Sequence, residues 1–162
     1  MMPVFLAGST GSEPALFDRD LAAGSLIDQE DFAGRSLARM EPEERWAILK
    51  ENLHRPRWWE PLLLCAGQLG LIEGQLKLVS DLGRNILGAG SPHEEILHRD
   101  VLLVAAMAAD GVGFDRGLLD ELTHRLTALA DGEVPVVRGE ALTGLAKLAR
   151  GGHTGAVTWL VP

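Results

Sequence analysis

The run that most resembles a catalytic metal motif in this chain is His93-Glu94-Glu95-Ile96-Leu97-His98. A zinc-binding helix of that kind needs two histidines four residues apart, so that both imidazoles face one metal ion. The two histidines here are five residues apart, which rotates them by about 140° on a helix of 3.6 residues per turn. They do not share a face, and the sequence predicts no metal site.

Adjacent carboxylates could perform acid and base chemistry, and the chain has three such pairs: Glu43-Glu44, Glu94-Glu95 and Asp120-Glu121. Each pair falls beside a predicted helix end or on a predicted exposed face, whereas general acid–base catalysis needs a carboxyl group within reach of a bound substrate. No Gly-x-Ser-x-Gly run marks a serine nucleophile. We therefore predict no catalytic residue and no enzymatic activity.

Two glycine-rich segments invite comparison with a phosphate-binding loop, in which backbone amides and a lysine surround the phosphates. Gly8-Ser9-Thr10-Gly11 contains no lysine, and Gly111-Val112-Gly113 has neither the required spacing nor a preceding strand. Both segments are typical of linkers and turns. The sequence predicts no nucleotide and no other cofactor.

The charge of the chain opposes nucleic acid as a partner. The net charge is −8, whereas nonspecific nucleic-acid binding depends on clustered lysine and arginine. The longest uncharged apolar stretch, residues 61–72, is shorter than the roughly 20 residues that cross a membrane. Cys65 is the only cysteine and lies in an apolar run, so we expect an inert core thiol and a cytoplasmic location.

Apolar residues recur at a spacing of about 40, with helical spacing inside each copy. Leu82 and Ile86 correspond in this way to Leu122 and Leu126. A period of that size is typical of helix pairs stacked in a solenoid of the HEAT or armadillo type. We therefore predict an all-α fold, a right-handed α-solenoid of about three to four helix pairs over residues 27–162. A loosely ordered acidic N-terminal arm is expected over residues 1–26.

Prolines, glycines and apolar spacing predict where the helices lie. Seven helical segments are expected, over about residues 27–40, 42–53, 57–70, 72–88, 93–109 and 115–130 and from residue 135 onward. Phe32 is predicted to face inward on the first helix, and Gly70 to end the third. Five residues are predicted to face inward on the fourth helix: Leu76, Val79, Leu82, Ile86 and Leu87.

The seventh helix carries a resemblance to a known repeat family. Its residues Pro135, Val137, Arg138, Ala141, Leu145 and Leu148 resemble the HEAT consensus, in which a proline and a valine-arginine pair open a helix with alanine and leucine on its inner face. The resemblance implies a third repeat. Its second helix is expected to open after Gly152, and its apolar C-terminal run indicates either a truncated repeat or an open end used for association.

The segment over residues 53–70 has a narrower resemblance. It is similar to the helical region that follows the nucleotide-binding core of NACHT-type STAND NTPases, where an arginine-tryptophan turn precedes a leucine-rich helix ending in Ala-Gly-x-Leu. Those proteins are signalling switches that couple an ATPase core to a helical sensor. The resemblance implies a non-catalytic interaction, sensor or scaffold module that is part of such a switch. Its expected partner is a protein, either an upstream ATPase core or a second copy of the chain.

Five residues that the repeat does not explain are candidates for contacting that partner: Arg55, Arg57, Trp58, Trp59 and Trp159. On a helix the adjacent Trp58 and Trp59 point about 100° apart. Either both pack between helices, or one of them contacts a partner together with Arg55 or Arg57, because tryptophan and arginine are enriched at interface hot spots. Trp159 lies in an apolar C-terminal run that does not form the polar cap a solenoid end needs.

Two other functions are open at this point. The first is a HEAT-repeat enzyme that processes nucleic acid, which would need a basic concave surface that the predicted inner positions do not supply. The second is a structural remnant of a NACHT-type NTPase without an independent role.

Overall fold

The structure is a computed structural model that describes residues 26–160, with side chains described from residue 29 onward. The predicted acidic arm therefore lies outside the described residues, apart from Leu26, which begins the first helix. All regular structure in the described part is helical, which confirms the all-α prediction. Nine α-helices lie in it: α1 (Leu26–Arg39), α2 (Pro42–Asn52), α3 (Trp59–Gly67), α4 (Leu76–Leu87), α5 (Glu94–Leu97), α6 (Arg99–Ala109), α7 (Arg116–Ala130), α8 (Pro135–Arg150) and α9 (Thr154–Leu160).

The helices contact one another in two rows. In the first row α1 contacts α3, α3 contacts α6, and α6 contacts α8. In the second row α2 contacts α4, α4 contacts α7, and α7 contacts α9. Both rows share one apolar core, in which Leu62, Leu122 and Leu145 are buried. Five helices, α4 and α6 to α9, contact neighbours in both rows, whereas the short α5 buries none of its residues.

The starts of the central helices follow the sequence period. Helices α3 and α6 begin at Trp59 and Arg99, and helices α4 and α7 begin at Leu76 and Arg116. Both pairs of starts are 40 positions apart, from 59 to 99 and from 76 to 116. The repeated apolar spacing therefore corresponds to a repeated pair of helices.

The predicted end of the third helix, at Gly70, is wrong, because an additional turn follows α3. A 3₁₀ turn at Pro56–Trp58 leads into α3, and a π-helical turn at Gln68–Ile72 extends it. Gly70, the predicted terminator, is buried within that π turn. The residue that adopts the left-handed conformation after this helix is Gly74, with φ of 66°. Helix α4 consequently begins at Leu76, later than predicted.

The helix predicted over residues 93–109 is broken into α5 and α6. His93 and His98, which flank α5, have φ angles of 64° and 49°, in the left-handed region that interrupts a helix. The carboxylate of Glu94 accepts hydrogen bonds from the backbone N–H of Asp100 at 3.0 Å and of Val101 at 3.4 Å. Glu94 therefore caps α6, where a negative charge meets the positive end of the helix dipole. Burial raises the pKa of this carboxyl group.

Asp100 holds the segment before the break. Its carboxylate accepts hydrogen bonds from the hydroxyl of Ser91 at 2.6 Å and from the backbone N–H of Ser91 at 3.0 Å. Asp100 is 2% exposed, so a buried carboxylate is satisfied by local donors. Ser91 is therefore bonded to the first turn of α6.

Two of the predicted inward-facing residues are exposed. Phe32 is 60% exposed and Leu76 is 52% exposed. Phe32 directly precedes Ala33 and Gly34, which bury against α3, and its own side chain points away from that contact. Leu76 opens α4 at its first turn, where its side chain lies across Gly113 and is covered on one side only. The other four predicted residues of α4 are buried: Val79, Leu82, Ile86 and Leu87.

Polar contacts tie α4 to α7. Asp115 caps α7 by accepting a hydrogen bond from the Leu118 N–H at 3.0 Å, and this bond, together with the adjacent Arg84, lowers its pKa. Arg84 Nη2 donates to both carboxylate oxygens of Asp115 at 2.7 Å. The hydroxyl oxygen of Ser80 accepts a hydrogen bond from the Asp115 N–H at 2.9 Å. The two consecutive second-row helices are therefore joined where α7 begins.

Helices α1 and α3 approach each other closely at Gly34. A Cβ atom there would lie 2.6 Å from Leu64 Cβ and 3.1 Å from the Pro61 carbonyl oxygen, neither of which can move without the backbone of α3. We expect Gly34→Ala to lower the free energy of unfolding by about 1–3 kcal/mol, as overpacking does, although alanine favours a helix. Urea denaturation would measure the loss.

Gly139→Ala is the matched control for that substitution. Gly139 also lies inside a helix, but a Cβ atom there would meet nothing within 4 Å. We expect Gly139→Ala to leave stability unchanged or to raise it by up to about 1 kcal/mol. Equal effects at the two glycines would contradict the close approach of α1 and α3.

Candidate interaction surface

Trp58 and Trp59 lie in different environments. Trp58 ends the 3₁₀ turn and is 3% exposed within the core. Trp59 begins α3 and is half-buried at the surface of the first row. The 3₁₀ turn thus directs Trp58 into the core and leaves part of Trp59 accessible to a partner.

A groove runs between α6 and α8, and Trp59 lines it. It consists of two adjoining cavities with volumes of about 440 and 460 Å³, and four residues line both: Trp59, Leu102, Val136 and Glu140. We call this surface the Trp59 groove. Ala105, Ala106 and Gly144 line the cavity of about 440 Å³, so small side chains leave room between the two helices. The groove therefore presents an apolar surface beside an accessible aromatic ring.

Two charged side chains of α8 lie along the Trp59 groove. Glu140 and Lys147 are exposed and are seven positions apart, which is about 10 Å along a helix. Neither side chain forms an ion pair with another residue of the described chain. On the opposite wall Arg99 donates a hydrogen bond to the His54 carbonyl oxygen at 3.2 Å. The charges of α8 can therefore contribute to the choice of a partner.

The predicted arginines and Trp159 lie outside this groove. Arg55 and Arg57 are exposed on either side of Pro56, and the Arg55 N–H donates to the Asn52 carbonyl oxygen at 2.9 Å. Trp159 is on α9, at the far end of the second row, where it packs partly against the core. The structure therefore brings none of these three residues into contact with the cavity that Trp59 lines.

Sequence reasoning missed most of the groove. Ile96 and Val136 are 58% and 72% exposed and line it together with Trp59, but neither is among the predicted interaction residues. Val136 occupies an apolar position in the predicted third repeat, so the spacing of apolar residues does not indicate that its side chain is exposed. Ile96 is exposed because α5 is a separate turn, and the break at His98 that makes it so was not predicted.

The described residues contain no arrangement for metal chemistry. Between residues 26 and 160, no group of three or more histidine, cysteine, aspartate or glutamate side chains could hold a metal ion. In the same span no helix is long and apolar enough to cross a bilayer. Cys65 is buried, and that burial raises the pKa of its thiol to about 12. The thiol is therefore protonated at neutral pH and unreactive.

Comparisons with known proteins found no family model that matches the chain, no similar curated protein and no similar solved structure. The resemblances to HEAT repeats and to NACHT-type proteins therefore rest on the residues quoted for them.

Proposed function

We propose that this chain is a non-catalytic protein-interaction module, built as a right-handed solenoid of HEAT-like helix pairs. Four pairs of helices fit this description: α1 with α2, α3 with α4, α6 with α7, and α8 with α9. Their alternation between two rows and the 40-residue period of the central starts support the proposal. The observation that carries it is the Trp59 groove.

The composition of the groove favours a protein as the partner. Interface cores combine aromatic and aliphatic side chains with few charges, and tryptophan is common among the residues that carry binding energy. The groove offers Trp59, Leu102 and Val136 for apolar contact, and Glu140 and Lys147 at its edge for orientation. A helix or an extended segment of a partner would bury this apolar surface.

We further propose that the module belongs to a cytoplasmic switch of the NACHT type, whose ATPase core or a second copy of this chain is the partner. Residues 53–70 support this, because the segment that resembles NACHT-type proteins forms the 3₁₀ turn, α3 and the beginning of the π turn. That segment also contributes Trp59 to the groove.

Affinity capture from the native cell tests the proposal. We expect the wild-type chain to recover a protein partner, and Trp59→Ala to recover it at least about tenfold less, as expected for an interface hot spot. Leu142→Ala is the matched control, because Leu142 is also an exposed apolar residue but lies outside the groove lining. Equal recovery by Trp59→Ala and Leu142→Ala would refute a role for the groove. Specific recovery of nucleic acid at moderate salt, or hydrolysis of any nucleotide, would refute the proposed class of protein.

A further inference from the structure

A second apolar cavity lies beside the π turn, separate from the Trp59 groove. Its volume is about 300 Å³, and its apolar lining comes from α3 and the π turn: Leu63, Leu64, Leu71 and Ile72. Residues of α1 and the end of α6 complete the lining. We call this cavity the π-turn pocket.

Large apolar side chains are exposed around the π-turn pocket. Leu71 is 58% exposed and Ile72 is 73% exposed. Exposed apolar residues grouped around a cavity mark interaction sites more often than single exposed residues do.

The backbone holds Leu71 and Ile72 in their exposed positions. The Glu73 N–H donates to the Gln68 carbonyl oxygen at 3.0 Å, which closes the π turn, and the Gln75 N–H donates to the Leu69 carbonyl oxygen at 2.8 Å. Side-chain amides of Gln68 and Gln75 donate to the two carboxylate oxygens of Glu73 at 3.1 and 2.6 Å. These bonds secure the turn on both sides. The exposure therefore belongs to an ordered segment, and π turns are frequent at functional sites.

The charges around the π-turn pocket have predominantly one sign. Four charged residues line it, and Arg35 is the only cation among them. Arg35 is neutralised by Asp31, with Nη2 and Oδ2 2.8 Å apart. Glu60 and Asp110 form no ion pair with any residue in the described range 26–160. An occupant that buries the apolar residues must therefore lie beside two uncompensated carboxylates.

We propose that the π-turn pocket binds a basic amphipathic segment of a partner protein. Its apolar side chains would contact Leu71 and Ile72, and its lysine or arginine side chains would face Glu60 and Asp110. The net charge of −8 would attract such a segment over longer distances and raise its association rate. This surface goes beyond the proposed function, because it defines a second contact whose partner chemistry differs from that of the Trp59 groove.

The probe is a fluorescent synthetic peptide of leucine and lysine only, with the leucines on one face of a helix, titrated at low salt with anisotropy as the readout. We expect Glu60→Gln/Asp110→Asn to weaken binding about tenfold, because removing two facing charges costs on the order of 1.4 kcal/mol. The matched control is Glu43→Gln/Glu44→Gln, which removes two exposed carboxylates from the first turn of α2, on the other row. We expect this control to bind the peptide as tightly as the wild type within about twofold, since distant surface charges are screened.

Substitutions of apolar residues separate the pocket from the groove. Ile72→Ser should weaken binding of the peptide, whereas Ile96→Ser and Trp59→Ala, both in the Trp59 groove, should not. If Trp59→Ala failed to reduce partner recovery, the peptide result at Ile72 would still stand. If Ile72→Ser failed to weaken peptide binding, the partner recovery predicted for the Trp59 groove would be unaffected.

Three outcomes would overturn the proposal. Equal weakening by the two double substitutions would show nonspecific attraction to an acidic protein. Weakening by Trp59→Ala but not by Ile72→Ser would place the peptide in the Trp59 groove. Sedimentation showing a wild-type dimer that Ile72→Ser converts to a monomer would assign the pocket to a second copy of the chain.

Discussion

Replacing Trp58 by alanine is expected to lower the free energy of unfolding by about 3–5 kcal/mol, the range for removing a large aromatic side chain from a core. Trp58 is 3% exposed and belongs to the cluster that contains Leu62, Leu49 and Leu53. The loss combines the apolar area returned to water with the cavity left in the core. A change of this size is a large part of the 5–15 kcal/mol that stabilises an ordinary domain.

Trp59→Ala is the adjacent control for this prediction. Trp59 is half-buried and lines a groove that is open to solvent, so its removal leaves no enclosed cavity. We expect a loss below about 1.5 kcal/mol, together with the reduced partner recovery predicted above. Urea denaturation followed by helical circular dichroism would measure both variants. Equal large losses at the two positions would mean that both tryptophans are core residues and would remove the argument for the groove.

The two tryptophans show what spacing can and cannot predict. Their adjacency requires different directions, but it does not state which one faces the core. That choice depends on the 3₁₀ turn at Pro56–Trp58, which changes the rotation per residue just before α3 begins. The apolar neighbours on both sides fit either register. The sequence therefore predicts that the two tryptophans differ, and the packing at the start of α3 decides that Trp58 is buried and Trp59 half-buried.

The repeat was predictable because burial of a helix face requires apolar residues at regular spacing. Leu122 and Leu126 are buried on α7 as Leu82 and Ile86 are on α4, at positions that the spacing of about 40 relates. The starts of α7 and α8, after Asp115 and at Pro135, also follow from residues typical of helix N-termini. These features are local in sequence, so one chain is sufficient to predict them.

The irregular breaks in the helices were not predictable, because they depend on contacts between segments and not on local apolar spacing. His98 adopts a left-handed conformation that histidine seldom takes, and contacts of Glu94 with the start of α6 stabilise it. The π turn at Gln68–Ile72 extends α3 without interrupting the apolar spacing through Leu69. Both surfaces proposed for binding depend on these breaks. The break at His98 leaves Ile96 exposed in the Trp59 groove, and the π turn leaves Ile72 exposed at the π-turn pocket. Irregular backbone thus positions the exposed apolar residues.

Arg45 was also missed: it lies on the same face of α2 as Leu49, four residues later, but arginine is seldom buried. The structure buries it to 3% exposure, and its guanidinium donates hydrogen bonds to three backbone carbonyl oxygens at the end of α1. Nε donates to Leu37 O at 2.9 Å, and Nη2 donates to Ala38 O at 3.2 Å and to Met40 O at 2.8 Å. The last carbonyls of a helix have no partner within it, and a cation there also complements the helix dipole. One side chain of α2 therefore completes the end of α1.

Arg45→Met is accordingly expected to lower the free energy of unfolding by about 2–4 kcal/mol, because it keeps most of the apolar stem but removes the donor to the Ala38 and Met40 carbonyl oxygens, whereas Leu37 O keeps the Met40 N–H. Lys50→Met on the same helix is the control, since Lys50 is exposed and its replacement should change stability by less than about 0.5 kcal/mol. Arg45→Lys should recover only part of the loss, because a single ammonium group lacks the planar fork that reaches several oxygens at once. Urea denaturation of the three variants would rank them. If Arg45→Met were as stable as Lys50→Met, water would have to satisfy these carbonyls, and the link between α1 and α2 would be apolar packing alone.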